Sequence, residues 1–379
     1  MKINIFGSTG VIGEKSLKLI KKNYPEIKIN LLVANKNYKK LISQCKEYNP
    51  KYIYINNKNL IKKIKNKIKK NIAIINNNNL TEHLKNVKTD LTILAVSGYN
   101  ALLYFEDILK NTKFLGLVNK ELLVSTGHLI QKKNFVKNTF IFPLDSEHFS
   151  LFYFFNNSKI NFNRIKKIYL TASGGPFLNF DIKKLEKVSL DQAVNHPKWK
   201  MGIKNSIDSA TLANKCLELI EAHYLFDISY KKLDILIHPE SLIHSIIEFD
   251  NGVSIFNYFY NDMDIPILNF FSYTMNNKII NIPKNYFIHK NFNLSFQYPD
   301  EMQFPIYKIY KKIRYKDVSK IIMFNVINEY AVELFKINEI KFTDISRFVD
   351  KYISLDLKMP ITNIKNILEF QRYIREKIC

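Results

Sequence analysis

The first part of the chain alternates between short apolar runs and segments in which apolar residues recur every three or four positions. Helical periodicity between the runs indicates crossover helices, and strands joined in this way form mostly parallel sheets. The pattern therefore predicts an α/β fold that begins with a doubly wound sheet. The predicted strands lie at residues 2–6, 27–33, 51–55, 72–75, 91–96, 114–118 and 140–142.

A glycine-rich turn, GSTGVIG at residues 7–13, follows the first strand and precedes an amphipathic helix predicted over 14–22. Small residues let a backbone approach a pyrophosphate, and the helix N-terminus offers it free N–H groups. The spacing GxxGxxG is a variant of the dinucleotide-binding GxGxxG. A tight turn without a ligand is the alternative, but the position after the first strand favours a Rossmann-type domain that binds a dinucleotide.

The second predicted strand ends in Ala34-Asn35-Lys36-Asn37. NAD-specific sites usually have a carboxylate here for the ribose 2′-hydroxyl, whereas a basic or amide side chain accommodates a 2′-phosphate. Lys36 and Asn37 therefore point to NADPH. The alternative is that a lysine in so lysine-rich a chain is ordinary surface composition.

Asp145 and Glu147 follow the strand at 140–142, where ligands of such sheets bind. In an extended chain the two carboxylates project to the same side and suit Mg²⁺ or Mn²⁺. Alternatively the stretch opens a helix, with Ser146 as its cap and the acids favoured by the helix dipole. The local sequence leaves both interpretations open.

Lys120 follows the strand predicted at 114–118. The ends of parallel strands form the ligand-facing edge of the sheet, so Lys120 is available to a carbonyl or phosphate oxygen. A solvated surface lysine is the alternative, and the local sequence favours it.

Two turns of the second half carry polar and aromatic residues. The strand predicted over 164–170 ends in TASGGP, which suits an anion-binding nest or a plain turn with positive φ. The sequence HPKWKMG, residues 196–202, suits a loop that closes over a substrate or one anchored to a core.

A long amphipathic helix is predicted over residues 208–226. Thr211, Asn214, Lys215 and Glu218 recur on one face at spacings of three and four. This face combines an amide, a cation and a carboxylate. An exposed Lys215–Glu218 ion pair of little energetic value is the alternative to a binding face.

The remaining chain predicts a smaller sheet and a helical end. Strands at 233–237, 245–249 and 253–258 include a hairpin at Asn251-Gly252. His238 and His244 lack zinc-site spacing and are interpreted as structural residues or as residues near a dimer interface rather than as metal ligands. After a loop-like stretch, helical periodicity predicts helices at 306–313, 318–335, 342–353 and 361–378.

The predicted segments are a Rossmann-type domain at 1–147, an α+β catalytic domain at 148–285, a linker at 286–305 and a C-terminal helical bundle at 306–379.

The composition is that of an ordinary globular protein, with 379 residues, 46% hydrophobic and 24% charged. No apolar run reaches the roughly 20 residues that cross a bilayer, and the chain starts with strand-like sequence rather than a signal peptide, so we expect a cytoplasmic protein. Cys45, Cys216 and Cys379 lack CxxC spacing and are expected to be reduced thiols. The net charge of +23 comes from lysines spread along the chain, which favours solvated faces over a nucleic-acid surface.

Seven motifs together resemble the 1-deoxy-D-xylulose 5-phosphate reductoisomerase family, NADPH- and metal-dependent enzymes of non-mevalonate isoprenoid biosynthesis. The resemblance spans essentially the whole chain. It implies rearrangement and reduction of 1-deoxy-D-xylulose 5-phosphate to 2-C-methyl-D-erythritol 4-phosphate by a homodimer, with NADPH and one Mg²⁺, Mn²⁺ or Co²⁺ ion. The motifs are GSTGVIG, NKELLV, PLDSEH, LTASGGPF, HPKWKMG, DSATLANKCLELIEA and HPESLIH, in the family's order and spacing.

The resemblance also implies roles for the residues that match these motifs. Lys120, Asp145, Glu147 and Glu218 would be catalytic, and the three acids would bind the metal. The substrate would contact Lys120, Ser146, Glu147, Ser173, His196, Ser209, Asn214, Lys215 and Glu218, with Trp199 and Met201 on a closing loop. The cofactor would contact Gly7, Ser8, Thr9, Gly10, Val11, Ile12, Asn35, Lys36, Asn37, Asn119, Lys120, Glu121 and Gly202.

Three positions depart from the family's pattern, since Asn35 and Cys216 replace glycines and Glu240 replaces a glutamine. The first two border the expected cofactor and substrate sites, so they bear on affinity rather than on the reaction.

Two other functions remain open: a metal-dependent NADP oxidoreductase for a phosphorylated polyol, and a basic nucleic-acid-binding protein. Cys216 lies mid-helix without an evident base, which argues against covalent aldehyde dehydrogenase chemistry.

Overall fold

The computed structural model of the chain describes residues 1–76, 79–132, 135–136, 138–195, 202–276 and 293–379. These residues group into two compact units. The first comprises the described residues of segments 1–119, 133–149 and 262–284, and the second those of 120–132, 150–261 and 285–379. Each unit combines segments that are distant along the chain. The division into four consecutive segments stays a prediction.

A seven-stranded parallel sheet forms the centre of the first unit. Its order is β4-β3-β2-β1-β5-β6-β7, and every neighbouring pair is parallel. The chain fills one half of the sheet outward from β1 and then the other half from β5. This confirms the doubly wound topology and puts the switch point between β1 and β5. The strands are β1 (Lys2–Phe6), β2 (Lys28–Ala34), β3 (Tyr52–Ile55), β4 (Ala73–Ile74), β5 (Thr89–Leu94), β6 (Thr112–Leu117) and β7 (Phe140–Pro143).

Helices flank this sheet, and the side chains of Ile3, Ile5, Leu31 and Leu91 are completely buried. Strands that are covered on both faces have continuous apolar sequences, which explains why short apolar runs predicted them. The helices are α1 (Val11–Asn23), α2 (Tyr38–Tyr48), α3 (Ile61–Lys65), α4 (Leu80–Asn86) and α5 (Leu102–Asn111), with 3-10 turns at Lys58–Leu60 and Tyr99–Ala101. Helix α7 (Ser146–Asn157) starts at the end of a segment of this unit.

A further helix, α11 (Asp264–Thr274), also belongs to the first unit. Lys15 of α1 lies 2.6 Å from Asp264, and the rings of Tyr24 and Phe271 are 5.3 Å apart. The sequence pattern predicts no helix here. Its apolar residues occur on nearly all sides of the helix, so they show no amphipathic period.

A four-stranded mixed sheet lies in the second unit, in the order β11-β10-β8-β9. β8 and β9 are parallel, and β10 is antiparallel to both β8 and β11. Gly252 has a φ of +82° in the turn between β10 and β11, which confirms the predicted hairpin. The strands are β8 (Ile165–Ala172), β9 (Leu233–Ile237), β10 (Ile243–Phe249) and β11 (Ser254–Tyr258).

The C-terminal helices are confirmed, and they pack on other helices of the same unit. Gln371 donates a hydrogen bond of 3.2 Å to the hydroxyl of Ser125, which joins the last helix to α6. The helices of this unit are α6 (Lys120–Ile130), α8 (Leu190–Val194), α9 (Ile203–Ala210), α10 (Ala213–Phe226), α12 (Pro305–Ile313), α13 (Val318–Lys336), α14 (Asp344–Ile353) and α15 (Ile364–Ile378). The 3-10 turns are Phe162–Arg164, Ile182–Lys187 and Tyr230–Lys232. Within the described ranges, no helix combines the length and apolarity that a bilayer crossing requires.

The single helix predicted over 208–226 is wrong, because the segment forms two helices. α9 ends at Ala210, α10 begins at Ala213, and Leu212 between them has a φ of +66°. Left-handed backbone is unfavourable for leucine and interrupts a helix. The side chain of Leu212 is almost completely buried, so tertiary packing stabilises a break that local periodicity does not indicate.

Candidate active site

The glycine turn after β1 lies at the switch point of the seven-stranded sheet. Gly7 has a φ of +77°, and a Cβ there would lie 2.4 Å from the carbonyl oxygen of Ala95. A Cβ on Gly13 would lie 2.4 Å from the carbonyl oxygen of Gly7. Gly10 is exposed, and its Cβ would meet the carbonyl oxygen of Gly7 at 3.3 Å. The first and third glycines therefore serve chain packing, while Gly10 leaves its backbone open to a ligand.

The other residues of this turn divide into buried and exposed positions. The Ser8 hydroxyl donates to Gln44 Oε1 at 2.9 Å, and Gln44 Nε2 donates to the Ser8 carbonyl at 2.7 Å. Thr9 and Ile12 are half-buried, and the Val11 side chain is 49% exposed. Helix α2 thus holds one side of the turn, while Val11 on the other side is open to solvent.

The segment after β2 is exposed and combines two amides with one cation. Asn35 accepts a hydrogen bond of 3.3 Å from Asn56, and Asn37 caps α2 by accepting the backbone N–H of Lys40 at 3.2 Å. Lys36 between them is exposed. This arrangement suits a 2′-phosphate rather than a 2′-hydroxyl.

Asn119 closes the edge of the sheet between β5 and β6. Its side-chain amide donates to the carbonyl of Gly98 at 2.8 Å and also to the carbonyl of Val96. The side chain is buried, with 3% exposed. It therefore fixes the loop after β5, which borders the switch point.

Asp145 and Glu147 lie at the start of α7, directly after β7. The backbone N–H of Glu147 donates to Asp145 Oδ1 at 3.2 Å, and the Ser146 hydroxyl donates to Glu147 Oε2 at 2.7 Å. His148 Nδ1 lies 3.3 Å from Asp145 Oδ1. The extended geometry is therefore wrong and the helical turn is confirmed, but Asp145 rather than Ser146 accepts the N–H at its start. Both carboxylates still follow the carboxyl end of a strand, and oxygen donors of this kind suit Mg²⁺ or Mn²⁺.

Lys120, Lys215 and Glu218 form a buried charged cluster in the second unit. Lys120 Nζ lies 3.1 Å from Glu218 Oε1, and the Lys215 ammonium contacts Glu218 Oε2. Asn214 also donates to Glu218 Oε1, at 2.5 Å. The exposed fractions of Lys120, Lys215 and Glu218 are 9%, 5% and 1%. The solvated lysine and the exposed ion pair are therefore both wrong, because these charges are buried.

The members of this cluster come from two helices, α6 and α10. Helix α10 brings Asn214 and Lys215 to Glu218, because they precede it by four and three residues, the spacings at which helical side chains meet. Cys216 between them is completely buried, and burial holds the pKa of its thiol well above the ordinary value. This cysteine is therefore a neutral packing residue.

The turn that carries Ser173 packs against the end of α9. Gly175 has a φ of +69°, and a Cβ there would lie 2.8 Å from the Cα of Ala210 and 3.0 Å from the carbonyl oxygen of Ser209. The Gly175 N–H donates to the Ser173 hydroxyl at 3.2 Å. The structure thus brings together the segments of two expected phosphate ligands, Ser173 and Ser209.

The remaining expected site residues differ in their environment. Glu121 is buried, and its Oε1 lies 2.7 Å from Lys204 Nζ. Burial alone would raise the pKa of Glu121, but Lys204 lowers it overall. Gly202 is exposed at the N-terminus of α9. His196, Trp199 and Met201 lie outside the described residues.

The doubly wound sheet, its dinucleotide-type turn and the buried charged cluster define the class of nucleotide-dependent α/β enzymes. Family models for 1-deoxy-D-xylulose 5-phosphate reductoisomerase match residues 3–127, and models for its C-terminal domains match 141–226 and 260–377. The chain belongs to the 1-deoxy-D-xylulose 5-phosphate reductoisomerase family.

Individual relatives agree with this assignment over the whole chain. The 1-deoxy-D-xylulose 5-phosphate reductoisomerase of Pelagibacter ubique is 39% identical, with 100% of this chain and 98% of the relative aligned. The apicoplastic enzyme of Plasmodium falciparum is 33% identical, with 100% of this chain and 82% of the relative aligned.

Two solved structures show the same fold. A DOX-P reductoisomerase in complex with NADPH, fosmidomycin and magnesium has a TM-score of 0.87 and 29% identity, covering 100% of this chain and 97% of that one. The enzyme of Zymomonas mobilis in complex with NADPH has a TM-score of 0.85 and 30% identity, with the same coverage.

Proposed function

We propose that the chain converts 1-deoxy-D-xylulose 5-phosphate to 2-C-methyl-D-erythritol 4-phosphate, a rearrangement and reduction that uses NADPH and a divalent metal ion. Membership of the family over the full chain carries this conclusion. The chain is accordingly an NADPH-dependent oxidoreductase with isomerase activity in isoprenoid biosynthesis. The roles of its individual residues follow from the geometry of each unit.

We assign the cofactor to the switch point of the seven-stranded sheet. The exposed backbone at Gly10 and the start of α1 bind the pyrophosphate, while Lys36 and Asn37 bind the 2′-phosphate. Asn119 supports the nicotinamide side by fixing the loop after β5. The remaining assigned contacts are Gly7, Ser8, Thr9, Val11, Ile12, Asn35, Lys120, Glu121 and Gly202.

We assign the metal to Asp145, Glu147 and Glu218. The first two follow the carboxyl end of β7, and the third is buried beside two lysines. Carboxylate oxygens are the donors that Mg²⁺ and Mn²⁺ prefer, so the residue types fit. When bound, such an ion polarises the oxygen atoms of an α-hydroxyketone and favours cleavage and rejoining of its carbon skeleton.

The second unit supplies the substrate-binding groups. Ser173, Ser209, Asn214 and Lys215 bind the phosphate, a remote group whose binding energy supports orientation of the reacting carbons. The Lys120 ammonium stabilises negative charge that develops on a substrate oxygen. Ser146 holds Glu147 Oε2 through its hydroxyl. The assignments of His196, Trp199 and Met201 to substrate and lid rest on the family alone.

The test is to mix the purified protein, Mg²⁺ and NADPH with 1-deoxy-D-xylulose 5-phosphate and to follow the nicotinamide absorbance. We expect oxidation of NADPH and formation of a branched product, identified by NMR. Reduction without skeletal rearrangement would instead support an NADP oxidoreductase for a phosphorylated polyol. Failure to oxidise NADPH, combined with salt-sensitive duplex DNA binding that NADPH does not change, would support the nucleic-acid alternative.

We also propose a homodimer that forms through the four-stranded sheet. Phe256 of β11 pairs with Ile246 of β10, which pairs with Tyr169 of β8. The Tyr169 ring lies 6.3 Å from that of Tyr298, and Phe256 and Tyr298 are 49% and 66% exposed. An exposed apolar face of this kind suits a second copy of the chain. Sedimentation should show a dimer, and Phe256→Lys should weaken it; a wild-type monomer at micromolar concentration would contradict the proposal.

We place the protein in the cytoplasm. All three cysteines are unpaired thiols, two of them buried, which agrees with a reducing compartment. Fractionation of the native host, with a thiol-labelling assay, tests this placement.

A further inference from the structure

Lys204 is the centre of a second buried charge cluster in the second unit. Its Nζ lies 2.7 Å from Glu121 Oε1 at the start of α6 and 2.7 Å from Asp208 Oδ2 one turn further along α9. Asp208 Oδ1 accepts a hydrogen bond of 2.8 Å from Asn328 of α13. Glu329, the next residue of α13, interacts electrostatically with Lys204. The Lys204 ammonium group therefore joins α6 to α9, and Asp208 joins α9 to α13.

The burial of this cluster makes its pairing important. The exposed fractions of the Lys204, Glu121 and Asp208 side chains are 15%, 5% and 2%. A buried charge costs several kcal/mol when its partner is removed, whereas an exposed ion pair contributes about 0–1 kcal/mol. Burial lowers the pKa of Lys204, but Asp208, Glu121 and Glu329 raise it overall, so the side chain stays charged.

The two helices that Lys204 joins carry residues of the proposed site. Glu121 directly follows Lys120, whose Nζ contacts Glu218. Asp208 directly precedes Ser209, whose carbonyl oxygen would lie 3.0 Å from a Cβ added to Gly175 in the turn that carries Ser173. A shift of α9 relative to α6 would therefore separate the group that binds the phosphate from the group that acts at the reacting carbons.

We propose that Lys204 is a positioning residue for the reaction. Its ammonium group holds the start of α6, with Lys120 and Glu121, in register with the end of α9, with Ser209. Lys204 acts through Glu121 and Asp208 and is assigned no contact with substrate or cofactor. The inference rests on the proposed function of Lys120 and Ser209.

The experiment compares Lys204→Met with a matched exposed lysine. Lys110 lies 2.6 Å from Glu106 in an i, i+4 pair, the same spacing as Lys204 and Asp208, but its side chain is 64% exposed. We expect Lys204→Met to lower kcat by roughly 10- to 100-fold and to raise KM for the phosphorylated substrate, since misplaced groups lose orientation. Lys110→Met should keep wild-type values. All variants are assayed at a temperature where circular dichroism shows them folded.

A double-mutant cycle separates positioning from a general loss of stability. If Lys204 acts through Glu121, Lys204→Met should reduce kcat less in a Glu121→Gln background than in the wild type. Lys204→Arg should recover part of the lost kcat. Additive losses, or a Lys204→Met protein with wild-type kcat and KM, would overturn the inference.

The same experiment keeps this inference distinct from the proposed function. Wild-type turnover tests the function, and the ratio of variant to wild type tests Lys204. If Lys204→Met does not fold, the comparison of Lys204→Arg with Glu121→Gln provides the test: kcat values that both equal the wild type would overturn the inference.

Discussion

Lys120 Nζ lies 3.1 Å from Glu218 Oε1, and both side chains are almost completely removed from solvent. The lysine is the first residue of α6 and the glutamate lies in the middle of α10. A pair in this environment is costly to break, because the remaining charge stays buried. It also places a cation beside an expected metal ligand, which makes both residues direct tests of the mechanism.

Lys120→Ala should lower kcat by roughly 10²- to 10³-fold, the range for removing a group that stabilises developing charge. The affinity for NADPH should change much less, because the pyrophosphate and 2′-phosphate are assigned to the first unit. Steady-state kinetics and NADPH fluorescence titration measure the two effects. Equal losses in both would show that Lys120 serves cofactor binding and has no separate role in the reaction. Lys110→Ala, at an exposed lysine, is the control.

Glu218→Gln keeps the shape of the side chain but removes one expected metal ligand. We expect roughly 10²-fold or greater loss of kcat and a higher Mg²⁺ concentration for half-maximal rate, since the carboxylate charge is the main attraction for the ion. Titration of the rate with Mg²⁺ checks this. Glu221→Gln, at a buried glutamate of the same helix, should keep the wild-type Mg²⁺ response; the same shift in both variants would remove Glu218 from the metal site.

Two glycines of the nucleotide turn should respond differently to alanine. In Gly13→Ala the new Cβ would lie 2.4 Å from backbone. The free energy of unfolding should therefore fall by about 1–3 kcal/mol, which lowers the melting temperature. In Gly10→Ala the nearest contact is 3.3 Å, so the fold should be kept while NADPH binding weakens. Calorimetry and fluorescence titration distinguish these effects. Unchanged NADPH affinity in Gly10→Ala would place the pyrophosphate elsewhere.

Glu329 should make stability depend on pH. Burial raises the pKa of this carboxyl from 4.5 to about 7, and Lys204 only partly opposes that effect. The folded protein then binds the proton more tightly than the unfolded chain, so ionisation destabilises the fold as pH rises from about 4.5 to about 7.

Glu329→Gln should therefore become more stable relative to the wild type between pH 5 and pH 8, by on the order of 2 kcal/mol. Urea unfolding at several pH values measures the difference. Glu333→Gln, at a side chain that is 45% exposed, is the control and should show a smaller change. A constant difference between Glu329→Gln and the wild type would show that Glu329 titrates normally.

Local patterns were sufficient for much of the fold. β1, the glycine turn and α1 follow one another as predicted, because continuous apolar runs and glycine spacing are properties of adjacent residues. The hairpin at Gly252 was predictable for the same reason. The order of the family motifs identified the reaction, since their spacing is written in the chain itself.

The same patterns did not predict α11 or the break at Leu212, and they left the helical turn at Glu147 as one of two open interpretations. α11 is apolar on nearly all sides and so lacks a period, while Leu212 adopts a backbone conformation that its buried side chain stabilises. Lys204 was missed as well. Its i, i+4 partner Asp208 is visible in the sequence, but its contact with Glu121 is not.

The sequence by itself determined the succession of strands and helices along the first part of the chain, the nucleotide turn and the family, because each depends on neighbouring residues or on motif spacing. Only the tertiary structure decided that Lys120, Lys215 and Glu218 are buried together and that Lys204 joins α6 to α9. The physical reason is that burial and ion pairing between distant segments depend on which helices pack against each other, and no local period encodes that packing.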